Sequence, residues 1–140
     1  MESAEILSEH QLKATGCRIG ILDLMIESGN ALSENEIREK LESSFDRTTF
    51  YRSFKTLDEH GIIHKIVVDS QVVKYELDKS ITNRKQHAHF YCKVCDAVQC
   101  IDVAEIPEVV VPKHYKIYEV ELVLKGKCDK CSEMKSTRVQ

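Results

Sequence analysis

Apolar side chains recur at three- and four-residue intervals through the first part of the chain and then give way to β-branched runs, so it reads as helices followed by strands. A first helix is predicted over about Ala4 to Ala14. A second begins near Cys17, carries Ile19, Leu22, Met25 and Ile26, and ends at Ser28-Gly29-Asn30, where glycine and asparagine accept the left-handed conformation that closes a helix. Ser33 followed by Glu36 is a capping-box signature for a third helix that turns Ile37 and Leu41 inward. Asp46 is placed to cap a fourth, over about Arg47 to His60. Its Phe50, Phe54 and Leu57 fall at i, i+4 and i+7 and form one apolar stripe that needs a core. Thr48, Tyr51, Arg52 and Lys55 then lie on the opposite or flanking face, available to a partner. Gly61 ends the helix. Ile62 to Val68 and Gln71 to Leu77 read as two strands joined at Asp69-Ser70. Helices followed by such a hairpin outline a winged helix, whose last helix enters a major groove.

Asp78 to Gln86 is polar and without apolar period, which divides the chain into residues 1–78, a hinge over 79–86 and a second domain over 87–140. Strands are expected near His89 to Cys92, Ala97 to Ile101 and Lys116 to Leu124. A short helix is expected between the last two, kept brief by Pro107 and Pro112. The class is α+β: a winged helix-turn-helix domain and a small C-terminal α/β domain.

Two Cys-x-x-Cys pairs, Cys92/Cys95 and Cys128/Cys131, are the strongest chemical signal. Each pair can offer two thiolates to one ion, and together they complete a closed tetrahedral sulfur site of the kind that holds structural zinc. Neither pair is read as following a strand and opening a helix in a βαβ context, so a thioredoxin-like redox role is disfavoured. The 32 residues between the pairs exceed a compact zinc ribbon, and the ion is expected to clip the first strand of the domain to its C-terminal end. His87 and His89, two apart on a strand, can converge on a second, regulatory ion. Cys100 from the neighbouring strand and Glu76 from the hairpin are candidate further ligands. The alternatives are an exposed strand edge for the histidines, a small buried hydrophobe for Cys100 and a solvated carboxylate for Glu76. Cys17, His10, His60, His64 and His114 do not cluster, and packing, capping or exposure is the reading of each.

Composition alters this picture in one respect. The chain has 140 residues, 42% hydrophobic and 31% charged, an ordinary soluble profile. No apolar run reaches the ~20 residues that span a bilayer, so no membrane role and a reducing, cytoplasmic setting are expected. Residues 1–78, however, carry 9 Lys+Arg against 15 Asp+Glu, a balance of 9 − 15 = −6. DNA binding must therefore rest on a local cluster: Arg47, Arg52 and Lys55, with Lys13 and Arg18 as additions. Tyr51 suits contact with a base or thymine methyl, and Arg52 suits guanine or phosphate. A zinc hydrolase finds no catalytic motif, with no His-Glu-x-x-His and no Gly-x-Ser-x-Gly. A zinc-stapled interaction module without DNA contact stays open.

Across nearly its whole length the chain resembles the ferric uptake regulator family of metal-dependent transcriptional repressors. The resembling segments are Lys13 to Arg18, Thr48-Thr49-Phe50-Tyr51-Arg52, Lys74-Tyr75-Glu76-Leu77, His87 to Cys95 and Gly126 to Cys131. The resemblance implies a homodimer that binds a pseudo-palindromic operator in double-stranded DNA when a regulatory ion fills its site. The departures bear on the metal. Ala31 stands where members often have histidine, Cys100 where many have Asp or Glu, Ala88 between the two histidines where an acidic residue is common, and Val120 in place of a histidine on the last strand. A ligand set of His87, His89, Cys100 and Glu76 contains sulfur and suits zinc better than iron(II). Zinc is therefore the favoured effector, an iron(II) sensor the close alternative and a peroxide sensor the third.

Overall fold

The computed structural model describes residues 2–69, 71–82, 87–102, 108–118 and 120–133. It divides into two compact units, Met1–Asn83 and Arg84–Gln140. The first contains helices α1 (Ser3–Glu9) and α2 (Gly16–Ser28), the two-residue strand β1 (Asn30–Ala31), helices α3 (Glu34–Leu41) and α4 (Arg47–Glu59), strands β2 (Ile63–Asp69) and β3 (Val72–Leu77), and the short helix α5 (Lys79–Thr82). The second contains strands β4 (His87–Cys92), β5 (Val98–Asp102) and β6 (Leu122–Gly126) and helix α6 (Asp129–Glu133).

Local signals account for most helix ends. The Thr15 side chain accepts from Arg18 N at the start of α2, and Gly29, at φ 66°, closes that helix. Ser33 and Glu36 form the expected reciprocal capping box, with bonds of 3.1 Å in both directions. Asp46 accepts from Thr49 N at 2.8 Å and caps α4. The Phe50, Phe54 and Leu57 stripe is buried against Ile6, Leu22 and Ile37. Cys17 is part of this core, 2% exposed, with its thiol directed at Thr49 O across α2 and α4. Antiparallel β2 and β3 follow, and Tyr75 meets Phe54 edge-on with centroids 4.7 Å apart. Leu32, after β1, bridges to Tyr75.

The elements differ from expectation in four places. The first helix stops at Glu9, because Gln11 takes a left-handed φ of 54° and Leu12 N bonds back to Leu7 O at 2.8 Å, a Schellman-type closure that folds Leu12 onto the core. Within the segment read as hinge, residues 79–82 are helical. Asp78 accepts from Ser80 N, and Ile81 packs on the first unit's core. The last strand starts at Leu122 rather than near Lys116. It pairs in parallel with β4 from Ala88↔Leu122 to Cys92↔Gly126, and by that register Lys116 would fall opposite a position before β4 begins at His87. The helix expected before it is absent from residues 108–118, where the chain turns at Lys113 and His114; residues 103–107 lie outside the described set.

In the second unit β4 lies between β5, antiparallel, and β6, parallel. Among the described residues no helix is long and apolar enough to cross a membrane.

Glu36 ties α3 to the hairpin, since it also accepts from the nearly buried Lys74. Burial works to raise its pKa, but the Lys74 ammonium and the Ser33 cap outweigh it and hold the carboxyl below its ordinary 4.5. A depressed folded-state pKa contributes stability that is complete above the unfolded value and is lost as pH falls through the folded one. Glu36→Gln, which keeps a capping oxygen but no charge, should destabilise the protein by about 1 kcal/mol at pH 7. It should also flatten the acid limb of the stability curve below about pH 4.5. Urea unfolding followed between pH 3 and 7 checks both.

Candidate metal centre and DNA-facing helix

β4 ends at Cys92, and the chain reverses immediately. Asp96 N bonds Cys92 O and Cys92 N bonds Ala97 O, each at 2.9 Å, closing a tight turn around Cys95. Asp96 completes it in the left-handed region, at φ 63°. The neighbouring β6 carries its register one step further, with Lys93 N donating to Gly126 O at 2.8 Å. A Cβ on Gly126 would stand 3.2 Å from the Phe90 ring, so glycine lets the strands close together there. Cys128 follows two residues later, and Cys131 lies on α6. The second pair follows a strand and opens a helix, but among the described residues no strand comes after α6, so the βαβ context of a thioredoxin-like site is missing.

All four sulfurs consequently lie within 4.8 Å of one another. Cys92 Sγ is 3.7 Å from Cys131 Sγ, and Cys95 Sγ is 3.8 Å from Cys128 Sγ. A regular tetrahedron with metal–sulfur bonds of about 2.3 Å has edges of about 3.8 Å. The donor set is thus already spaced for one soft ion and is far from the ~2.05 Å of a disulfide. Cys95 N and Cys128 N both point at Cys92 Sγ, at 3.5 and 3.4 Å.

The electrostatics follow from that crowding. Burial pushes the Cys92 thiol up, but N–H groups of Cys128, Cys95 and Val94 outweigh it and bring its pKa down to about 6. Cys131 goes the other way, to about 12, through its contact with the Cys128 sulfur, through burial, and through the Cys92 and Cys95 sulfurs. Cys95 is also raised; N–H bonding from Ala97 works to lower it, but burial and the Cys92 and Cys128 sulfurs prevail. One thiolate suppresses ionisation of its neighbours until a cation neutralises them.

His89 is buried, and its direct cross-strand partner on β5 is Cys100, which is half-buried. Directly opposed residues project on the same face, so imidazole and thiol stand side by side. His87 opens β4 two residues earlier. Glu76 lies on β3 opposite His64. The unclustered residues behave as read: His10 and His60 turn Nδ1 to the carbonyls of Ile6 and Thr56 at their helix ends, and His64 pairs with Asp78. Sequence reading did not single out Tyr91 or Asp96, whose side chains bond at 2.8 Å beside the Cys92 turn. An aspartate where such a turn needs a left-handed residue was the available signal.

On α4, Thr48, Thr49, Tyr51, Arg52 and Lys55 are all exposed, as is Arg47. Lys13 is exposed between α1 and α2, and its carbonyl accepts from Arg18 Nη1 at 2.9 Å.

Filling the four-sulfur cluster at pH 7 should expel at least two protons per ion, those of Cys95 and Cys131, so the apparent zinc affinity should rise steeply with pH. Titration calorimetry in buffers of different ionisation heat measures the count. Fewer than one proton per zinc would contradict this geometry.

A family model described as the ferric uptake regulator family matches residues 9–125. The ferric uptake regulation protein of Staphylococcus epidermidis is 26% identical over 139 residues, covering 94% of this chain and 96% of that protein. Two solved structures share the fold. The ferric uptake regulator of Vibrio cholerae gives a TM-score of 0.65 at 20% identity, over 91% of this chain and 100% of that one. A zinc-bound manganese uptake regulator gives 0.68 at 17% identity, over 91% and 99%. The chain belongs to the ferric uptake regulator family, whose members are metal-responsive transcriptional regulators and not enzymes.

Proposed function

We propose that this protein is a metal-dependent DNA-binding repressor controlling genes of metal uptake or homeostasis, with zinc as its effector. The observation that carries the reading is the two-sidedness of α4. Its Phe50, Phe54 and Leu57 are buried, while Thr48, Thr49, Tyr51, Arg52 and Lys55 are presented to solvent. In this reading residues 1–78 are a winged helix, with α4 as recognition helix and the β2–β3 hairpin as wing. Arg52 and Tyr51 reach base edges, Thr48 and Thr49 line the helix entry, and Lys55, Lys13 and Arg18 meet phosphates. Residues 87–140 form the dimerisation domain, stapled by structural zinc on Cys92, Cys95, Cys128 and Cys131. A homodimer offers two α4 helices to the two halves of a pseudo-palindromic operator. The protein works in the cytoplasm, where thiols stay reduced.

The regulatory ligands are proposed as His87, His89, Cys100 and Glu76. Support comes from the side-by-side placement of His89 and Cys100 and from the sulfur donor, which favours zinc over iron(II). An iron(II) effector is the second reading, favoured by the ferric uptake regulation proteins among its relatives.

Duplex binding measured by gel shift should weaken steeply as salt rises, as phosphate contacts require. Arg52→Ala should cost about 1–3 kcal/mol of operator binding if the guanidinium reads a base; an equal loss on every sequence would move it to phosphate. Cys100→Ser should weaken zinc-dependent operator binding far more than it lowers thermal stability. Wild-type zinc dependence in that variant would return Cys100 to a packing role.

A further inference from the structure

The Cys92–Cys95 turn carries one feature that metal ligation does not explain. Asp96, at its exit, is a non-glycine residue with φ 63°, in a conformation that a side chain disfavours. Its carboxylate oxygen accepts from the Tyr91 hydroxyl at 2.8 Å. Tyr91 is 5% exposed and sits on β4 immediately before Cys92, paired across the sheet with Val98 and Lys125. Its ring is therefore anchored by the sheet. Successive strand residues leave opposite faces, so tyrosine and first ligand brace the same turn from its two sides. The span from the Tyr91 hydroxyl to Asp96 encloses Cys92 and Cys95 completely.

We infer that Tyr91 and Asp96 form a positioning clamp that holds the Cys92–Cys95 turn in its ligand-ready shape, so that the ion is released slowly. The inference rests on the four cysteines holding zinc. Asp96 is a positioning residue here, acting through backbone shape and contributing no ligand oxygen. Glycine would relax the left-handed φ at the cost of the bond to Tyr91, whereas asparagine both tolerates that φ and supplies an acceptor oxygen. The two substitutions therefore separate backbone comfort from the clamp.

The test follows transfer of zinc from the intact, zinc-loaded protein to a chromogenic chelator. Tyr91→Phe, which removes only the hydroxyl, should speed release about tenfold, the lower end of what outer-shell partners of a metal contribute. Asp96→Asn should stay within about twofold of the parent. Asp96→Gly should accelerate release in the parent but add nothing in the Tyr91→Phe background, because its partner is already gone. Release from Tyr91→Phe at the parent rate would overturn the clamp, as would equal acceleration by Asp96→Gly in both backgrounds. Should Tyr91→Phe fail to fold, Asp96→Gly and Asp96→Asn decide the matter alone: equal rates overturn the clamp. A parent protein without bound zinc would sink the metal reading and the clamp together, whereas a zinc-loaded parent with an indifferent Tyr91 would sink only the clamp.

Discussion

Four sulfur atoms gathered within 4.8 Å set the conditions for the whole C-terminal unit. Thiolates at that spacing repel, so without a cation Cys92, at about 6, ionises readily while Cys131, at about 12, keeps its proton. A soft divalent ion reverses the balance and turns the cluster into a cross-link. The segment that profits most is α6, a helix of five residues with none buried. Neither helix length nor apolar packing can hold so short an element. Ligation through Cys128 and Cys131 would, and it would tie α6 to the β4 turn.

The first unit is built on the opposite principle. Its core is an ordinary apolar cluster drawn from α1, α2, α3, α4 and the start of β2, and its polar ties, among them the capping box at Ser33, the Asp46 cap and the Glu36–Lys74 pair, lie around that core. Packing fixes α4 from behind and leaves its other side uncommitted. That is how an acidic unit can still offer a local basic and aromatic face, since Arg47, Arg52, Lys55 and Tyr51 stand on one exposed helix while most carboxylates lie elsewhere. The division of labour is consistent: apolar burial positions the helix that would read DNA, and metal chemistry holds the unit proposed to pair the readers.

Much of this was legible in the residues. Ser33 with Glu36, Asp46 before α4 and Gly29 after α2 act within three or four residues of the bonds they make, so local pattern suffices. The Phe50, Phe54 and Leu57 stripe and the paired cysteines are likewise periodic or spaced signals. What escaped reading depends on partners distant in the chain or on unusual backbone. The end of α1 turns on a left-handed Gln11, a residue with no special claim to that conformation. The start of β6 is dictated by where β4 begins, and the helix at Cys128 follows from the end of that parallel strand. The Tyr91–Asp96 bond joins two side chains that mean little until the turn between them is folded.

In this reading Cys92, Cys95, Cys128 and Cys131 enclose one zinc ion. Zinc-edge X-ray absorption on the reduced protein carrying only its tightly held metal decides it. Four sulfur neighbours at about 2.3 Å is the expected first shell. A shell of nitrogen and oxygen, or protein that retains no zinc at all, would rule out the four-cysteine centre.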